Sequence, residues 1–197
     1  MPDVSRVATD KIWNVPNSLS FLRLLLSVFV GILIEWNYYL IALVVFVVAA
    51  TTDFVDGWWA RKFNQITKLG RILDPFVDKI IITAAVVGLV AIKGSCVPGW
   101  LATVIIGREL LVTTLRAMIE GQGGDFSARH LGKWKFLLQC AAVVSSLILL
   151  SQPHMATWLV PITVILWGLA LLLTVASGAD YVIKAIELNR NQSAHSI

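Results

Sequence analysis

Six long apolar stretches dominate this chain, at roughly 17–35, 38–60, 72–93, 98–119, 132–151 and 156–187. Each comes close to, or exceeds, the about 20 residues with which a helix crosses the hydrocarbon of a bilayer. Such a pattern leaves few alternatives to a helical membrane bundle, because backbone groups in lipid must find hydrogen-bond partners within their own segment. Of the 197 residues, 57% are hydrophobic and 14% charged, against roughly 45–50% and 25% in a soluble domain. The expected fold is therefore all-α and integral to the membrane, with six transmembrane helices. No linker, repeat or low-complexity tract divides it, so one domain over 1–197 is expected, with an interfacial segment at 1–15 and the bundle at 16–188.

Charge placement orients the bundle. The joints near 35–38, 94–98 and 151–155 carry few positive charges, whereas Arg6, Lys11, Arg61, Lys62, Lys68, Arg71, Arg129, Lys133 and Arg190 fall on the other side. The positive-inside rule then predicts that both termini face the cytoplasm. The N-terminal "DVSRVATDKIW" alternates apolar and charged residues at helical spacing, which predicts a short interfacial helix, with a disordered tail as the alternative, and no removable leader is expected. Trp13, Trp36, Trp100, Trp134 and Trp158 fall near span ends, where an amphipathic ring sits at headgroup level. Pro16 and Asn17 suit a helix start, and Gly94, Pro98 and Pro153 mark breaks. Cys96 and Cys140 share no motif spacing and read as packing residues. The net charge of +4 favours anionic lipid headgroups over nucleic acid in a chain this apolar.

Between the second and third apolar stretches lies "DFVDGWWARKFNQITKLGRILDPFVDK", which carries four aspartates. Asp53 and Asp56 are three apart, hence on one helical face, and Gly57 and Ala60 continue that face with small side chains. Asp74 and Asp78 are four apart at the start of the third span, with Gly70 one turn earlier. Four carboxylates gathered near a low-dielectric core cannot all stay ionised unless cations neutralise them. Oxygen donors without histidine or cysteine suit Mg²⁺, with Mn²⁺ as the alternative, and two such ions would balance four aspartates. A paired-metal site of this kind supports in-line displacement at phosphorus. Arg61, one turn after Gly57, offers a planar fork for a phosphate. The competing reading is a solvated cluster in which the aspartates pair with Arg61, Lys62, Arg71 and Lys79.

Written as Asp53-x₂-Asp56-Gly57-x₂-Ala60-Arg61-x₈-Gly70-x₃-Asp74-x₃-Asp78, the segment resembles the signature of the CDP-alcohol phosphotransferases at every defined position. The resemblance implies a six-helix membrane enzyme, usually homodimeric, that transfers a substituted phosphate from a CDP-linked donor to an alcohol and releases CMP. It further implies that Asp53, Asp56 and Asp74 bind metal, and that Asp78 completes the cage while accepting the proton of the attacking hydroxyl. Gly57, Ala60, Arg61, Thr67 and Gly70 would receive the cytidine diphosphate. "NSLSFLR", from Asn17 to Arg23, is similar to the family's N-x-L-T-x-x-R, with Ser20 in place of Thr, so Asn17 and Ser20 join the donor contacts.

The acceptor is read from a second basic group. "GRELLVTTLRAMIEG" and "ARHLGKWKFLLQ" place Arg108, Arg116, Lys133 and Lys135 toward the same side as the aspartates. Cations beyond those that a diphosphate needs suggest an acceptor with its own phosphate. The alternative is that Arg108 and Arg116 snorkel or pair with Glu109 and Glu120. Lys133 and Lys135 are two positions apart and cannot both face one pocket. The same stretch is similar to phosphatidylglycerophosphate synthases, although Phe136 stands where those often have Thr. The resemblance thus implies CDP-diacylglycerol as donor, sn-glycerol 3-phosphate as acceptor, and residence in the cell (inner or plasma) membrane. Inositol phosphate, phosphatidylglycerol and serine are the alternative acceptors. A divalent-cation transporter is the alternative outside the family, and it is disfavoured because spans five and six carry almost no deep ionisable residue.

Overall fold

The structure, a computed structural model, describes residues 15–63, 68–121, 130–152 and 158–195; side chains are described for these except 15–17, 53–63, 68–75, 78, 118–121, 130, 131, 133 and 188–195. All regular structure among the described residues is helical: α1 (Val15–Glu35), α2 (Tyr39–Phe63), α3 (Lys68–Val90), α4 (Gly99–Gly121), α5 (His130–Ser151) and α6 (Leu159–His195). The expected interfacial helix at 1–15 and the break at Pro153 lie outside the described residues. Backbone contacts group the chain into two compact units, 1–91 and 92–197.

Among the described residues, three helices are long and apolar enough to cross a membrane: α1 over Ser18–Glu35, α5 over Trp134–Ser151 and α6 over Leu159–Glu187. In α2 and α3 the described apolar segments are shorter, Tyr39–Thr52 and Lys79–Val90. The reason is visible in the sequence, since the charged signature occupies the end of one helix and the start of the next. In α4 the run is interrupted by Arg108, Glu109 and Arg116.

In the first unit α1 packs along both α2 and α3, which also meet each other. The seam is apolar and close. Val30, Ile34, Ala42, Phe46, Ala49, Ala85 and Leu89 are buried on the facing stripes. A methyl group built on Gly88 would lie 3.2 Å from Ile34, so the missing side chain is what admits Ile34 between the helices. The turn from α1 to α2 is a Schellman arrangement: Tyr38 N–H reaches the Leu33 carbonyl at 2.9 Å and Asn37 N–H the Ile34 carbonyl at 3.0 Å. Asn37 takes the left-handed conformation this requires, with φ of 63°, which its short polar side chain tolerates better than most.

In the second unit α6 packs against both α4 and α5. Its core mixes apolar residues with a ladder of buried polar ones. Trp167 donates from Nε1 to Ser146 Oγ at 2.9 Å, and Ser146 donates to the Ser95 carbonyl at 2.7 Å. Ser145 and Thr163 share a hydrogen bond of 2.6 Å, and Gln139 donates to Thr174 at 3.2 Å. Hydrogen bonds of this kind add specificity where apolar burial cannot distinguish helix from lipid. Cys96, in the connection before α4, packs against Leu149 and Leu159, in keeping with a packing role. Partial burial pushes its thiol above the ordinary value. The outward stripes are apolar, with Leu25, Phe29, Val44, Val48, Ile165, Leu169 and Leu172 among the exposed residues. Trp36, Trp100, Trp134 and Trp158 are all well exposed near helix ends, as anchoring residues would be.

Candidate active site

The backbone carries the signature on two unbroken helices. Asp53, Asp56, Gly57, Ala60 and Arg61 lie within α2, and Gly70, Asp74 and Asp78 within α3. Helical continuity matters, because spacings of three and four residues bring Cα atoms one turn apart only if no kink intervenes. Thr51 and Thr52, just before Asp53, return their hydroxyls to the carbonyls of Val47 and Ala49 at 2.8 and 2.7 Å. These bonds let polar residues approach the apolar part of α2 without leaving an unmet donor. The side chains of all four aspartates lie outside the described residues, as do those of Gly57, Ala60, Arg61, Gly70 and the whole of Thr67.

On α1 the structure describes Ser20 and Arg23, three residues apart in the helix that packs on both aspartate-bearing helices. Both are buried, and each is only 1% exposed. Asn17 lies in the first turn of α1, with its side chain outside the described residues. A buried arginine in an apolar seam is costly unless it meets partners, so the burial of Arg23 adds a residue that "NSLSFLR" contained but that sequence reasoning did not single out as a site.

The second unit holds a buried charge cluster whose side chains are described. Glu109 on α4 is 7% exposed and Lys135 on α5 is 5% exposed. Lys135 Nζ donates a short hydrogen bond to Glu109 Oε1. Arg108 Nη1 approaches the same carboxylate at 3.4 and 3.5 Å. Its Nη2 donates to Ser177 Oγ on α6 at 2.8 Å. The guanidinium also lies 5.7 Å from the centre of the Tyr181 ring, within cation–π range. Arg116 Nη2 donates to the Tyr181 hydroxyl at 3.3 Å. Arg108 Nε is buried with no hydrogen-bond partner among the described residues, a donor left for a water or a ligand oxygen.

Gly178 explains how Arg108 reaches this position. A methyl group there would come within 3.1 Å of Arg108 Cγ. The bare backbone of α6 therefore forms a floor on which the arginine stem lies flat.

Three of the four cations read from sequence as phosphate ligands are thus located. Arg108, Arg116 and Lys135 are tied together through Glu109 and Tyr181, with Ser177 holding Arg108, whereas the Lys133 side chain lies outside the described residues. The pairing of Arg108 with Glu109, weighed as the alternative to ligand binding, is present. It coexists with the cluster and does not disperse it.

Comparison with known proteins decides the family. A model of the CDP-alcohol phosphatidyltransferases matches residues 13–176, a span that includes parts of all six helices. The chain belongs to this family. It is accordingly an enzyme of the phosphatidyltransferase type. It is similar to a CDP-diacylglycerol–glycerol-3-phosphate 3-phosphatidyltransferase of Bacillus subtilis, with 35% identity over 87% of this chain and 95% of the relative. A protein of the same name from Pseudomonas fluorescens is 36% identical over 74% of this chain and 76% of its own length. Another, from Shigella flexneri, is 30% identical over 88% of this chain and 95% of its own length.

In this phosphatidyltransferase, sequence reasoning missed Glu109, Ser177 and Tyr181 as members of the cluster. Glu109 was weighed only as a neutralising partner. Ser177 and Tyr181 lie 69 and 65 residues from the arginines they hold, in a helix with no recognisable motif. The one available signal was the helical spacing of Ser177 and Tyr181, four apart on α6, which puts a hydroxyl and a phenol on one face.

Proposed function

We propose that the protein transfers the phosphatidyl group of CDP-diacylglycerol to sn-glycerol 3-phosphate, giving phosphatidylglycerol phosphate and CMP. The observation that carries this reading is the buried Arg108–Glu109–Lys135 cluster, continued through Tyr181 to Arg116. An acceptor without a charge of its own gives no reason to bury these cations, whereas a phosphate monoester matches arginine forks and a lysine point charge. The names of the similar proteins support the same donor and acceptor.

In this reading Asn17, Ser20, Gly57, Ala60, Arg61, Thr67 and Gly70 receive the cytidine diphosphate, and Arg108, Arg116, Lys135 and Lys133 receive the acceptor's phosphate. Asp78 takes the proton of the acceptor hydroxyl as that oxygen forms a bond to the lipid-side phosphorus. The bond from this phosphorus to the bridging oxygen of CMP breaks, and CMP departs. The donor set of Asp53, Asp56, Asp74 and Asp78 is all hard oxygen, two pairs each one turn apart in continuous helix, and so fits a pair of Mg²⁺ or Mn²⁺ ions. Bound there, the metal supplies positive charge against the diphosphate and the leaving group.

The proposal extends to six spans with both termini cytoplasmic, to one catalytic domain and a homodimer, and to residence in the cell membrane. The exposed apolar stripes and the sided distribution of Lys and Arg support the membrane part.

The test is CMP release by the purified protein with CDP-diacylglycerol, Mg²⁺ and one alcohol at a time. Release is expected with sn-glycerol 3-phosphate, and the Asp78→Asn variant should lose on the order of 10²–10⁴ in rate, the usual contribution of a general base. Release with serine, inositol phosphate or phosphatidylglycerol but not with glycerol 3-phosphate overturns the acceptor assignment. Loss of no more than a few-fold in Asp78→Asn overturns the base.

A further inference from the structure

Arg108 and Lys135 stand on different helices, and among the described residues α4 and α5 make no close backbone approach to one another, each packing instead on α6. The two cations are joined by the Glu109 carboxylate, which accepts from both. Arg108 is held a second time by Ser177 Oγ at 2.8 Å, over the bare backbone of Gly178. Ser177 is itself fixed, since its hydroxyl donates to the Leu173 carbonyl at 2.6 Å. Glu109 cannot bind an anion, and Ser177 has both its donor and one acceptor position engaged. Their geometry is that of groups that act on the cations.

We propose that Glu109 and Ser177 are positioning residues for the acceptor's phosphate: they hold Lys135 and Arg108, from two helices that among the described residues meet through side chains alone, at one place beside α6. This rests on the acceptor reading above and deepens it. Long cationic side chains lose several rotatable bonds of freedom when they grip a ligand, and each such side chain costs a factor of roughly 2 to 13 in affinity when it must be ordered at binding. Side chains already ordered by Glu109 and Ser177 do not incur that loss on binding. Glu109 acts through the cations it holds, so its removal is read in the KM for the acceptor and not in the KM for the donor.

The experiment measures KM for glycerol 3-phosphate and for CDP-diacylglycerol, and kcat, in purified Glu109→Ala, Glu109→Gln, Ser177→Ala, Lys135→Met and the Glu109→Gln/Lys135→Met pair. The acceptor KM should rise about tenfold in Glu109→Ala and about threefold in Ser177→Ala, with the donor KM within about twofold. Glu109→Gln, which keeps the shape and one acceptor oxygen, should fall between. Once Lys135 is replaced, adding Glu109→Gln should change the acceptor KM by less than about twofold, because most of what it positions is gone.

A lowered acceptor KM in Glu109→Gln overturns the proposal, since the carboxylate would then be a competitor of the substrate. Equal rises in both KM values, or effects that multiply in the double variant, overturn it in favour of a general packing role. If Lys135→Met leaves the acceptor KM unmoved, the acceptor reading itself fails. If Lys135→Met raises it while Glu109→Ala and Ser177→Ala do not, only the positioning role fails. Should Glu109→Ala not fold, Ser177→Ala and Glu109→Gln decide by the same criteria.

Discussion

Each of the two units of this protein is held together internally by different means. Residues 1–91 form a seam of shape, in which α1 is buried against α2 and α3 through Val30, Ile34, Ala42, Ala49 and Ala85, with Gly88 making room for Ile34. Residues 92–197 form a seam of hydrogen bonds, from the Ser95 carbonyl through Ser146 to Trp167, and from Gln139 to Thr174. In lipid neither seam gains from expelling water, so tight van der Waals contact and satisfied polar groups are the two available ways to choose one helix partner over another. The first unit uses the former on the helices that carry its densest charge motif, and the second uses the latter beside its buried ion pair.

The contrast can be broken by substitutions that act on one means at a time. The largest effect is expected at Gly88. Gly88→Leu inserts a side chain where even a methyl group meets Ile34 at 3.2 Å, and overpacking of that kind costs about 1–3 kcal/mol or more. Thermal unfolding in detergent should drop by several degrees, and a paired Ile34→Ala should restore part of it. An unchanged midpoint would mean that α1 and α3 are not held by fit. Next is Trp167→Phe, which keeps an aromatic ring and removes the hydrogen bond to Ser146; such interhelical bonds are worth about 0.6 kcal/mol on average and up to about 1.7. The loss should vanish in a Ser146→Ala background if the bond is the cause, and should persist if ring volume is. The smallest effect concerns Cys96. Its thiol is raised above the ordinary value by burial, so at pH 7–8 it holds less thiolate than a free cysteine. Alkylation by iodoacetamide should be slower than that of a free thiol and should reach its maximum at higher pH. A rate equal to or above the free thiol would remove the packing assignment.

The same contrast separates what could be read in the sequence from what could not. The signature from Asp53 to Asp78 is contiguous, and its spacing alone places two carboxylates one turn apart on each of two helices; the helices are continuous there, as that argument requires. The order of six helices was legible from apolar run length. The end of α6 was not: the expected span stops at residue 187, while the helix continues to His195. Nothing in "LNRNQSAH" is a glycine or proline that would stop it, and apolar character marks the end of a span, not the end of a helix. The same holds in α2 and α3, where helix persists although the apolar run has already given way to charge.

The basic cluster was half legible. Arg108, Arg116 and Lys135 stood out as cations in an apolar setting, but which groups hold them depends on α6, whose Ser177 and Tyr181 look ordinary in sequence. Single residues brought together by tertiary packing leave no spacing to recognise. Arg23 is an intermediate case, visible as the last letter of "NSLSFLR" and given meaning only by its complete burial.

Because α4 and α5 both lean on α6 and meet each other through side chains alone among the described residues, the residues between them can be exchanged without rebuilding the three-helix packing. If these residues position the acceptor as proposed, a different head-group preference would require new letters at Arg108, Glu109, Lys135 and Ser177 and no new scaffold. In descent, this is the portion of the molecule where a change of substrate asks least of the rest.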